Sequence, residues 1–474
     1  MEAQLYYGGR GHPGIHSRIF AVDNPATNEV IGNAVLADPD DVSLAVDAAS
    51  QAFSQWSRSS FRDRSHVLLA IYQAITDHRE ELARLLTQEE GKSLAESDAE
   101  IRYGARFFEY YAAQVFQSYG HMIFPPMNSH TGWTAKVPVG VAVLITPWNY
   151  PFAMICRKMA PALAAGCTVV VKPAEQTPLI AWRFFSLLHT LALQPGVINL
   201  VTGDPEVVGP ALIQDKRVRK ISFTGSSAVG RRILSNAAKN ITSVSLELGG
   251  NAPFIVFDDA NIDDAIAGIM ACKFRNAGQI CVAANRIYVQ RSIAPRVIRQ
   301  LVKAATGLVV GNGMAPNTQI GPLINQDAID KVITHLHDAE DKGAQVEIGG
   351  LRRPGPGYFF EPTIVTGVNE GMLLVREETF GPIAPLSVFD TEEDAFQTAN
   401  NTPYGLSAYV YTTNLGRAMR ASQLLEFGLI GINDPIPSRV EAPIGGWKES
   451  GLGREGGDQG IEEFLETKYV SMRF

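Results

Sequence analysis

The residues with the clearest chemical potential lie in the run FRNAGQIC, where a predicted helix enters a glycine-containing turn that ends on Cys281. A turn leaves the thiol accessible, and free backbone N–H groups beside it can lower its pKa and hold the oxyanion formed when it attacks a carbonyl carbon. Because a single cysteine is more often an inert core residue, the run predicts a nucleophile only together with other signals.

An acid and an amide occupy comparable positions at two other strand ends. In LELGGN an apolar strand ends on Glu247 and two glycines follow. A carboxyl group in apolar surroundings has a raised pKa and can act as a general base. In TPWNYP, Asn149 lies between a predicted strand and a predicted helix start, where its amide can donate to an oxyanion. Loop capping by the acid and ordinary turn chemistry for the asparagine are the competing interpretations.

Two further strand ends have features of a dinucleotide site. FTGSSAVG places Gly225 and Ser226 at a helix N-terminus, where N–H groups and the helix dipole favour a pyrophosphate. In VKPAEQTP, Lys172 and Glu175 follow a strand and can hold ribose hydroxyls. The literal GxGxxG in GLGREG has no predicted strand before it, so we do not assign it to a cofactor.

The elements that must position these residues follow an alternating order. Helical periodicity covers about residues 39–116, and strands then alternate with helices over 139–247, which predicts βαβ units and a parallel sheet. A second series after Gly250, with strands in APFIVF, NRIYVQ, YFFEPTIV and AYVYTT, predicts another α/β unit. We expect an early strand near 24–32, a hairpin over 118–138 and an edge strand in the C-terminal EEFLETKYVSMRF. Exposed strands of this kind usually pair with another subunit.

Composition narrows the class of protein. The 474 residues are 46% hydrophobic and 19% charged, which is typical of two or three globular domains. No apolar run reaches the roughly 18 residues of a membrane span and the N-terminus has no secretion signal, so we expect a cytoplasmic protein. A net charge of -8 without a Lys/Arg block argues against nucleic-acid binding. The four cysteines form no CxxC pair, which argues against disulfides and a thiolate metal site.

Taken in order, PWNYP, KPAEQTP, FTGS, LELGG, FRNAGQIC, EETFGP and PIGGWKESGLGRE resemble the aldehyde dehydrogenase superfamily over almost the whole chain. The resemblance implies an α/β fold of three parts. These are a Rossmann-like cofactor-binding domain (1–117 and 138–246), an α/β catalytic domain (247–440) and a β-arm oligomerisation element (118–137 and 457–474). It also implies a homo-oligomer built as a dimer of dimers.

The resemblance assigns roles residue by residue. Cys281 would attack the aldehyde, the Asn149 amide and the Cys281 backbone N–H would hold the oxyanion, and Glu247 would activate the water that hydrolyses the thioester. Lys158 and Glu455 match positions that can relay protons. The residues implied to bind the cofactor are Thr146, Pro147, Trp148, Lys172, Glu175, Gly225, Ser226, Glu378 and Phe380.

Within the superfamily, the chain most closely resembles succinate-semialdehyde dehydrogenases. Arg157, Arg275 and Ser438 match positions that bind the substrate carboxylate in that group, which implies a small anionic aldehyde as substrate. Arginines that pair with local acids or point to solvent are the alternative. Arg439 stands where some relatives have a small residue; if it faces the pocket, a sulfonated aldehyde such as sulfolactaldehyde also fits. Ala283 replaces a second cysteine found in many of these enzymes, which excludes a disulfide switch at the site.

The expected cofactor is NAD rather than NADP, because the Glu175 carboxylate should accept ribose hydroxyls and repel a 2′-phosphate. Two other members of the superfamily remain as alternatives. CoA-acylating relatives generally lack a base at the position of Glu247, and a catalytically silent relative would not need Cys281, Glu247 and Asn149 together. A serine hydrolase is disfavoured, since FTGSSAVG has no GxSxG register.

Overall fold

The computed structural model describes residues 1–117, 120–124, 129–191 and 193–474. In this part of the chain the helices are α1 (Pro39–Trp56), α2 (Phe61–Asp77), α3 (Arg79–Glu90), α4 (Leu94–Gln114), α5 (Pro151–Ala165), α6 (Pro178–His189), α7 (Pro205–Gln214), α8 (Ser227–Ala237), α9 (Ile262–Lys273), α10 (Ala294–Thr306), α11 (Gln326–Asp341), α12 (Leu373–Arg376), α13 (Glu392–Asn400), α14 (Leu415–Leu424) and α15 (Gln459–Glu462). The strands are β1 (Glu2–Ala3), β2 (Leu5–Tyr7), β3 (Arg10–His12), β4 (Ile19–Asp23), β5 (Val30–Val35), β6 (Met122–Ile123), β7 (His130–Pro138), β8 (Val141–Ile145), β9 (Thr168–Lys172), β10 (Ile198–Leu200), β11 (Val218–Thr224), β12 (Ser243–Glu247), β13 (Ala252–Val256), β14 (Ala284–Gln290), β15 (Gln345–Ile348), β16 (Thr363–Thr366), β17 (Ile383–Phe389), β18 (Tyr404–Gly405), β19 (Ser407–Tyr411), β20 (Leu429–Ile432), β21 (Trp447–Lys448), β22 (Gly451–Leu452) and β23 (Leu465–Arg473).

One large sheet has the order β22-β12-β11-β8-β9-β10-β2-β3, and its strands from β12 to β10 run parallel. Valine-rich runs such as TVVVK in β9 are buried along their whole length, as expected for a parallel sheet covered on both faces. Helices α2, α4, α5 and α6 pack on one face, and α1, α7 and α8 pack on the other. Because the strands are parallel, their carboxyl ends bring Asn149, Lys172, Ser226 and Glu247 to one edge.

A second large sheet has the order β15-β16-β17-β14-β13-β19-β20, in which only β15 runs antiparallel to its neighbour. Helices α9, α10 and α11 pack on one face, and α13 and α14 on the other. The loops that enter β13, β14 and β17 bring Gly250, Cys281 and Glu378 to the amino ends of these strands. The chain passes from the first sheet to the second between Glu247 and Ala252, and the predicted domain boundaries stay a prediction.

Local sequence explains several helix ends. Ser60 with Asp63 and Ser93 with Glu96 form capping boxes at the starts of α2 and α4. Helix α5 begins at a proline and ends at Gly166, which has the left-handed conformation with φ 95°. Among the described residues, no helix combines the length and the apolar character needed to cross a membrane.

A smaller sheet of order β23-β7-β6 contains the predicted arm segments. The C-terminal strand pairs with β7 from Leu465 opposite Pro138 to Arg473 opposite His130. Strand β6 pairs with β7 in the antiparallel sense, which confirms the predicted hairpin. Its connection at 125–128 and the preceding residues 118–119 lie outside the described residues.

Two predicted strands need correction. The strand expected near 24–32 does not form as one element: β4 and β5 flank a turn closed by the Asn24 side chain, which accepts from Ala26 N at 2.8 Å. In YFFEPTIV the strand starts only at Thr363, because Pro362 has no N–H to donate to a neighbouring strand.

Candidate active site

Cys281 lies near the end of the loop that joins α9 to β14. The loop is tightly wound: Ala277 and Gly278 have positive φ angles of 53° and 75°, and this conformation is strained for alanine. A Cβ atom on Gly278 would lie 2.2 Å from the Gly381 carbonyl oxygen, so glycine is needed for this close approach. Burial raises the pKa of Cys281 to about 12, and the positive charge of Arg157 acts to lower it. The side chain is therefore a thiol at neutral pH.

Glu247 is the last residue of β12 and is buried. Its Oε1 atom has no hydrogen-bond partner among the described residues. Burial, followed by the negative charge of Glu455, raises the pKa of Glu247 well above its ordinary value. A Cβ atom on Gly250 would lie 2.2 Å from the Cys281 carbonyl oxygen. The glycine after the strand therefore lets the segment that carries the acid pack directly on the thiol loop.

Asn149 lies between β8 and the start of α5, as its sequence predicts, and its side chain is buried. The Nδ2 atom donates to the Gln279 carbonyl oxygen at 2.8 Å, two residues before the thiol. An amide nitrogen has two hydrogens, so the second stays available to a ligand. The backbone carbonyl of Asn149 accepts from Lys92 Nζ at 2.6 Å.

The two predicted substrate arginines differ in their partners. Arg157 Nε lies 2.6 Å from Glu455 Oε2, and Glu455 also pairs with Lys158 through its other oxygen. Arg275 forms no ion pair among the described residues, and its Nε atom is buried without a hydrogen-bond partner. Arg157 thus shares one carboxylate with Lys158, which leaves a net positive charge in this group of three. Arg275 has no carboxylate partner in the described part of the chain.

A cavity of about 600 Å³ lies between the edges of the two large sheets. The predicted site residues that line it come from motifs spread over residues 147–438 of the chain. They are Pro147, Trp148, Asn149, Arg157, Gly225, Ser226, Glu247, Arg275, Cys281, Glu378, Phe380 and Ser438. The fold therefore brings one thiol, two carboxyl groups, one amide donor and two guanidinium groups from these motifs around a single space.

The chain matches the model of the aldehyde dehydrogenase family over residues 14–470. It belongs to the aldehyde dehydrogenase family. A mitochondrial succinate-semialdehyde dehydrogenase of Oryza sativa subsp. japonica is 47% identical over 100% of this chain and 90% of that protein. A 3-sulfolactaldehyde dehydrogenase of Pseudomonas putida is 46% identical over 100% of this chain and 97% of that protein. The crystal structure of an NADP-dependent enzyme from E. coli matches with a TM-score of 0.99 and 44% identity, over 100% of this chain and 98% of that chain.

These matches confirm the predicted family, the α/β fold of an aldehyde dehydrogenase and the predicted class of enzyme. Aldehyde dehydrogenases use NAD or NADP. The phosphate side of a dinucleotide fits the start of α8, where Ser226 is the N-cap and accepts from Val229 N at 3.3 Å. The first N–H groups of a helix have no partner within it and can bind a phosphate. The buried hydroxyls of Thr146 and Thr224 have no hydrogen-bond partner among the described residues, and Thr224 lines the cavity.

The opposite end of a dinucleotide fits the loop before β17 in this aldehyde dehydrogenase. Glu378 Oε1 accepts from Gly250 N at 3.0 Å, and burial raises the pKa of this carboxyl to about 7. The Phe380 ring packs edge-on against Trp148, with ring centroids 5.6 Å apart. A sugar hydroxyl can therefore meet a carboxyl group next to two aromatic rings.

The remaining predicted residues do not line this cavity; they are Thr146, Lys158, Lys172, Glu175, Glu455 and Arg439. Lys158 and Glu455 lie behind Arg157, while Lys172 and Glu175 meet at 3.4 Å beyond the end of β9. The role of Arg439 as a substrate contact stays a prediction. Its side chain is 66% exposed, its Nη2 lies 3.2 Å from Asp434, and it borders a separate cavity of about 380 Å³.

Several lining residues were not found from the sequence. Tyr103 in α4 hydrogen-bonds through its hydroxyl to Ser438 Oγ at 3.1 Å, and both residues border the two cavities. Tyr150 and Lys331 also line the larger cavity. Tyr103 and Lys331 lie on helices without a recognisable motif, so no local signal distinguishes them. Tyr150 lies in the motif TPWNYP, in which the resemblance assigned a role to Asn149 and to the three residues before it but none to the tyrosine.

Proposed function

We propose that this aldehyde dehydrogenase oxidises a small anionic aldehyde, succinic semialdehyde, to its carboxylate. The observation that carries this proposal is Arg275, a guanidinium at the cavity wall whose Nε is buried without a hydrogen-bond partner and which has no ion pair among the described residues. An unpaired buried charge is costly, and a substrate carboxylate can relieve that cost by pairing with it. Ser438 adds a hydroxyl donor in the same cavity, and Arg157 adds further positive charge.

The first step is attack of Cys281 on the aldehyde carbon. The thiol proton leaves to water, and the charge of Arg157 favours the thiolate because it lowers the pKa of Cys281. A C–S bond then forms while the carbonyl π-electrons move to oxygen. The free Nδ2–H of Asn149 and the backbone N–H of Cys281 hold the resulting oxyanion.

A bound nicotinamide ring supplies one piece of chemistry, which is acceptance of the hydride from the carbon bonded to sulfur. The thioester left on Cys281 is then hydrolysed. Glu247 takes a proton from water, the water oxygen bonds to the acyl carbon, and the C–S bond breaks to release Cys281. Burial supports this role, because a carboxylate with a raised pKa is a stronger base. We assign Lys158 and Glu455 to a proton relay, because these two side chains are paired with each other and the charge of Glu455 raises the pKa of Glu247.

The anionic substrate is supported by the relatives as well as by the arginines. The rice and Pseudomonas putida proteins bear the names of enzymes for succinate semialdehyde and 3-sulfolactaldehyde. Their nearly equal identity of 47% and 46% to this chain makes a sulfonated aldehyde the second candidate. Arg439 does not support it, because that guanidinium points towards Asp434.

We further propose NAD as the preferred cofactor. Lys172 and Glu175 at the end of β9 suit a ribose with free hydroxyls, and the carboxylate of Glu175 disfavours a 2′-phosphate. Because the chain is also similar to an NADP-dependent enzyme of E. coli, the two cofactors need to be compared directly. The measurement is kcat/KM with each cofactor at saturating aldehyde; a higher value with NADP contradicts this preference.

The arm sheet of β23, β7 and β6 supports a proposal of self-association, as a dimer of dimers. Its strands expose Met122 at 59% and Met472 at 47%, and Phe124 and Phe474, one residue beyond β6 and β23, are 81% and 74% exposed in the single chain. Apolar groups on exposed strands commonly pack against another subunit. Light scattering across a dilution series would reveal the mass of the assembly, and a monomer at every concentration contradicts the proposal.

The substrate class is tested by following NADH formation with succinic semialdehyde, sulfolactaldehyde and butanal. We expect an acidic aldehyde to exceed butanal in kcat/KM by about 100-fold, equivalent to about 2.7 kcal/mol of transition-state binding. The better of the two acids identifies the substrate. Equal efficiency with butanal would leave only the general aldehyde dehydrogenase activity.

A further inference from the structure

A cluster of buried titratable side chains lies at the cavity wall, where α3 connects to α4: Glu100 lines the cavity, and Glu90 and Lys92 lie behind it. The side chains of Glu90, Lys92 and Glu100 are all 0% exposed. Lys92 Nζ donates to Glu100 Oε2 at 2.7 Å and lies 3.8 Å from Glu90 Oε2. Burial of charged side chains is costly unless each one has hydrogen-bonding or ionic partners. The contacts of these three residues therefore identify the segments that the cluster binds.

Lys92 binds the backbone of Asn149, the residue whose side-chain amide is proposed to hold the oxyanion. Its Nζ donates to the Asn149 carbonyl oxygen at 2.6 Å and lies 3.9 Å from the centroid of the Tyr150 ring. Glu100 Oε1 accepts from Phe152 N at 3.0 Å and from Ala153 N at 3.1 Å, in the first turn of α5. Lys92 and Glu100 therefore hydrogen-bond to the backbone on both sides of Tyr150, next to Asn149.

The same cluster also binds the thiol loop. Asn276, which has a positive φ of 49°, donates from Nδ2 to Glu90 Oε1 at 2.7 Å and to the Asn149 carbonyl oxygen at 3.1 Å. Its backbone N donates to Glu96 Oε1 at 2.7 Å. The strained loop before Cys281 and the segment of Asn149 thus meet at the Asn149 carbonyl oxygen. Glu90 binds the loop and Glu100 binds the start of α5, and Lys92 pairs with both acids.

We propose that Lys92, with Glu90 and Glu100, is a positioning cluster that fixes the two oxyanion donors, the Asn149 amide and the Cys281 N–H, relative to each other. Lys92 contacts neither substrate nor cofactor and acts through Asn149. Hydrogen bonds to a buried ammonium are short and strong, which suits the narrow tolerance of an oxyanion site. This inference rests on the proposed roles of Cys281 and Asn149 but not on the identity of the aldehyde.

The test uses Lys92→Met, which keeps the length of the side chain and removes the charge and the donors. A rapid-mixing experiment with any aldehyde that the wild type oxidises gives the burst amplitude, which counts active sites, and the burst rate constant. We expect the amplitude per folded protomer to stay unchanged and the rate constant to fall about 10- to 100-fold, less than the 100- to 1000-fold typical of deleting an oxyanion donor itself. Lys220→Met is the matched control, since this buried lysine pairs with Glu463 at 2.9 Å, outside the cavity lining; its burst rate constant should not change.

A double-mutant cycle separates positioning from a merely structural role. If Lys92 acts through the Asn149 amide, Lys92→Met should slow the burst of an Asn149→Ala enzyme by less than threefold. Independent, multiplicative effects of the two substitutions on the burst rate constant would overturn the inference, as would a loss of burst amplitude with an unchanged rate constant.

If Lys92→Met does not fold, Glu100→Gln replaces it in the same cycle, because its Oε1 can still accept from the α5 N–H groups while the charge beside Lys92 is lost. An Asn149→Ala enzyme with the wild-type burst would instead refute the proposed role of Asn149.

Discussion

Replacement of Arg275 by methionine gives a direct measure of the proposed substrate class. The guanidinium lines the cavity and has no ion pair among the described residues, whereas Arg157 is already paired with Glu455. Two unit charges about 4 Å apart at an effective dielectric of about 20 attract by about 4 kcal/mol. Truncation of one partner of a buried charge pair costs about 2 to 5 kcal/mol. A central value of about 3 kcal/mol corresponds to a loss of about 150-fold in kcat/KM.

The assay compares kcat/KM for succinic semialdehyde and butanal in the wild type, in Arg275→Met and in Arg439→Met. We expect Arg275→Met to lose about 150-fold with the acid and no more than about threefold with butanal, which has no charge to lose. Arg439→Met is the control: its side chain is 66% exposed and held by Asp434, so both substrates should change by less than about twofold.

Equal losses on both aldehydes in Arg275→Met would refute this reasoning. That result would mean that the arginine supports the loop before Cys281 and does not recognise a carboxylate. A loss confined to the acid in Arg439→Met would equally contradict the structure, because it would require this exposed guanidinium to reach the thiol cavity.

Three further results are expected. Glu247→Gln should give one rapid burst of NADH followed by slow turnover, since Cys281 can still be acylated while hydrolysis lacks its base; loss of the burst as well as the turnover contradicts this role. The rate of hydrolysis by the wild type should rise as the pH passes the raised pKa of Glu247, because only the carboxylate form can act as a base. In Glu455→Gln this rise should occur at lower pH, because the negative charge of Glu455 is the second cause, after burial, of the raised pKa of Glu247. An unmoved or upward-shifted limb in Glu455→Gln would exclude the coupling. Glu175→Ala should raise the ratio of NADP to NAD efficiency on the order of tenfold, a modest change because the side chain is 41% exposed; an unchanged ratio means that Glu175 does not select the cofactor.

The parts of the candidate site that sequence could predict are those specified by short, contiguous runs. Asn149 was predicted from a buried strand followed by a helix start, and Glu247 from a strand followed by two glycines. The carboxyl ends of parallel strands meet at one edge of a sheet, so these two positions were expected to lie close together. The pairing of Arg157 with Glu455 could not be predicted, since these residues lie almost 300 positions apart and each has an equally good local interpretation. The Lys92 cluster was missed for the same reason: a lysine beside two glutamates is typical of a solvent-exposed turn.

The parts of the fold that sequence did not reveal are short or contain proline. Strands β2 and β3 join the first large sheet, yet each has three residues and no alternating pattern. The central strand β17 contains Pro385, a residue that normally argues against a strand inside a sheet. Long valine-rich strands were recognised because burial on both faces leaves a continuous apolar run. Strand length and side-chain chemistry therefore decide what a single sequence reveals.

Two glycines let the loops around the cavity pack closely, although neither supplies a reacting group. A Cβ atom on Gly250 would lie 2.2 Å from the Cys281 carbonyl oxygen, and one on Gly278 would lie 2.2 Å from the Gly381 carbonyl oxygen. Both neighbours are backbone atoms, which cannot move aside as the end of a flexible side chain can. A side chain at either glycine would therefore push the two segments apart. Because a displacement of about 1 Å at reacting groups can cost about 100-fold in rate, these glycines contribute to catalysis through close packing.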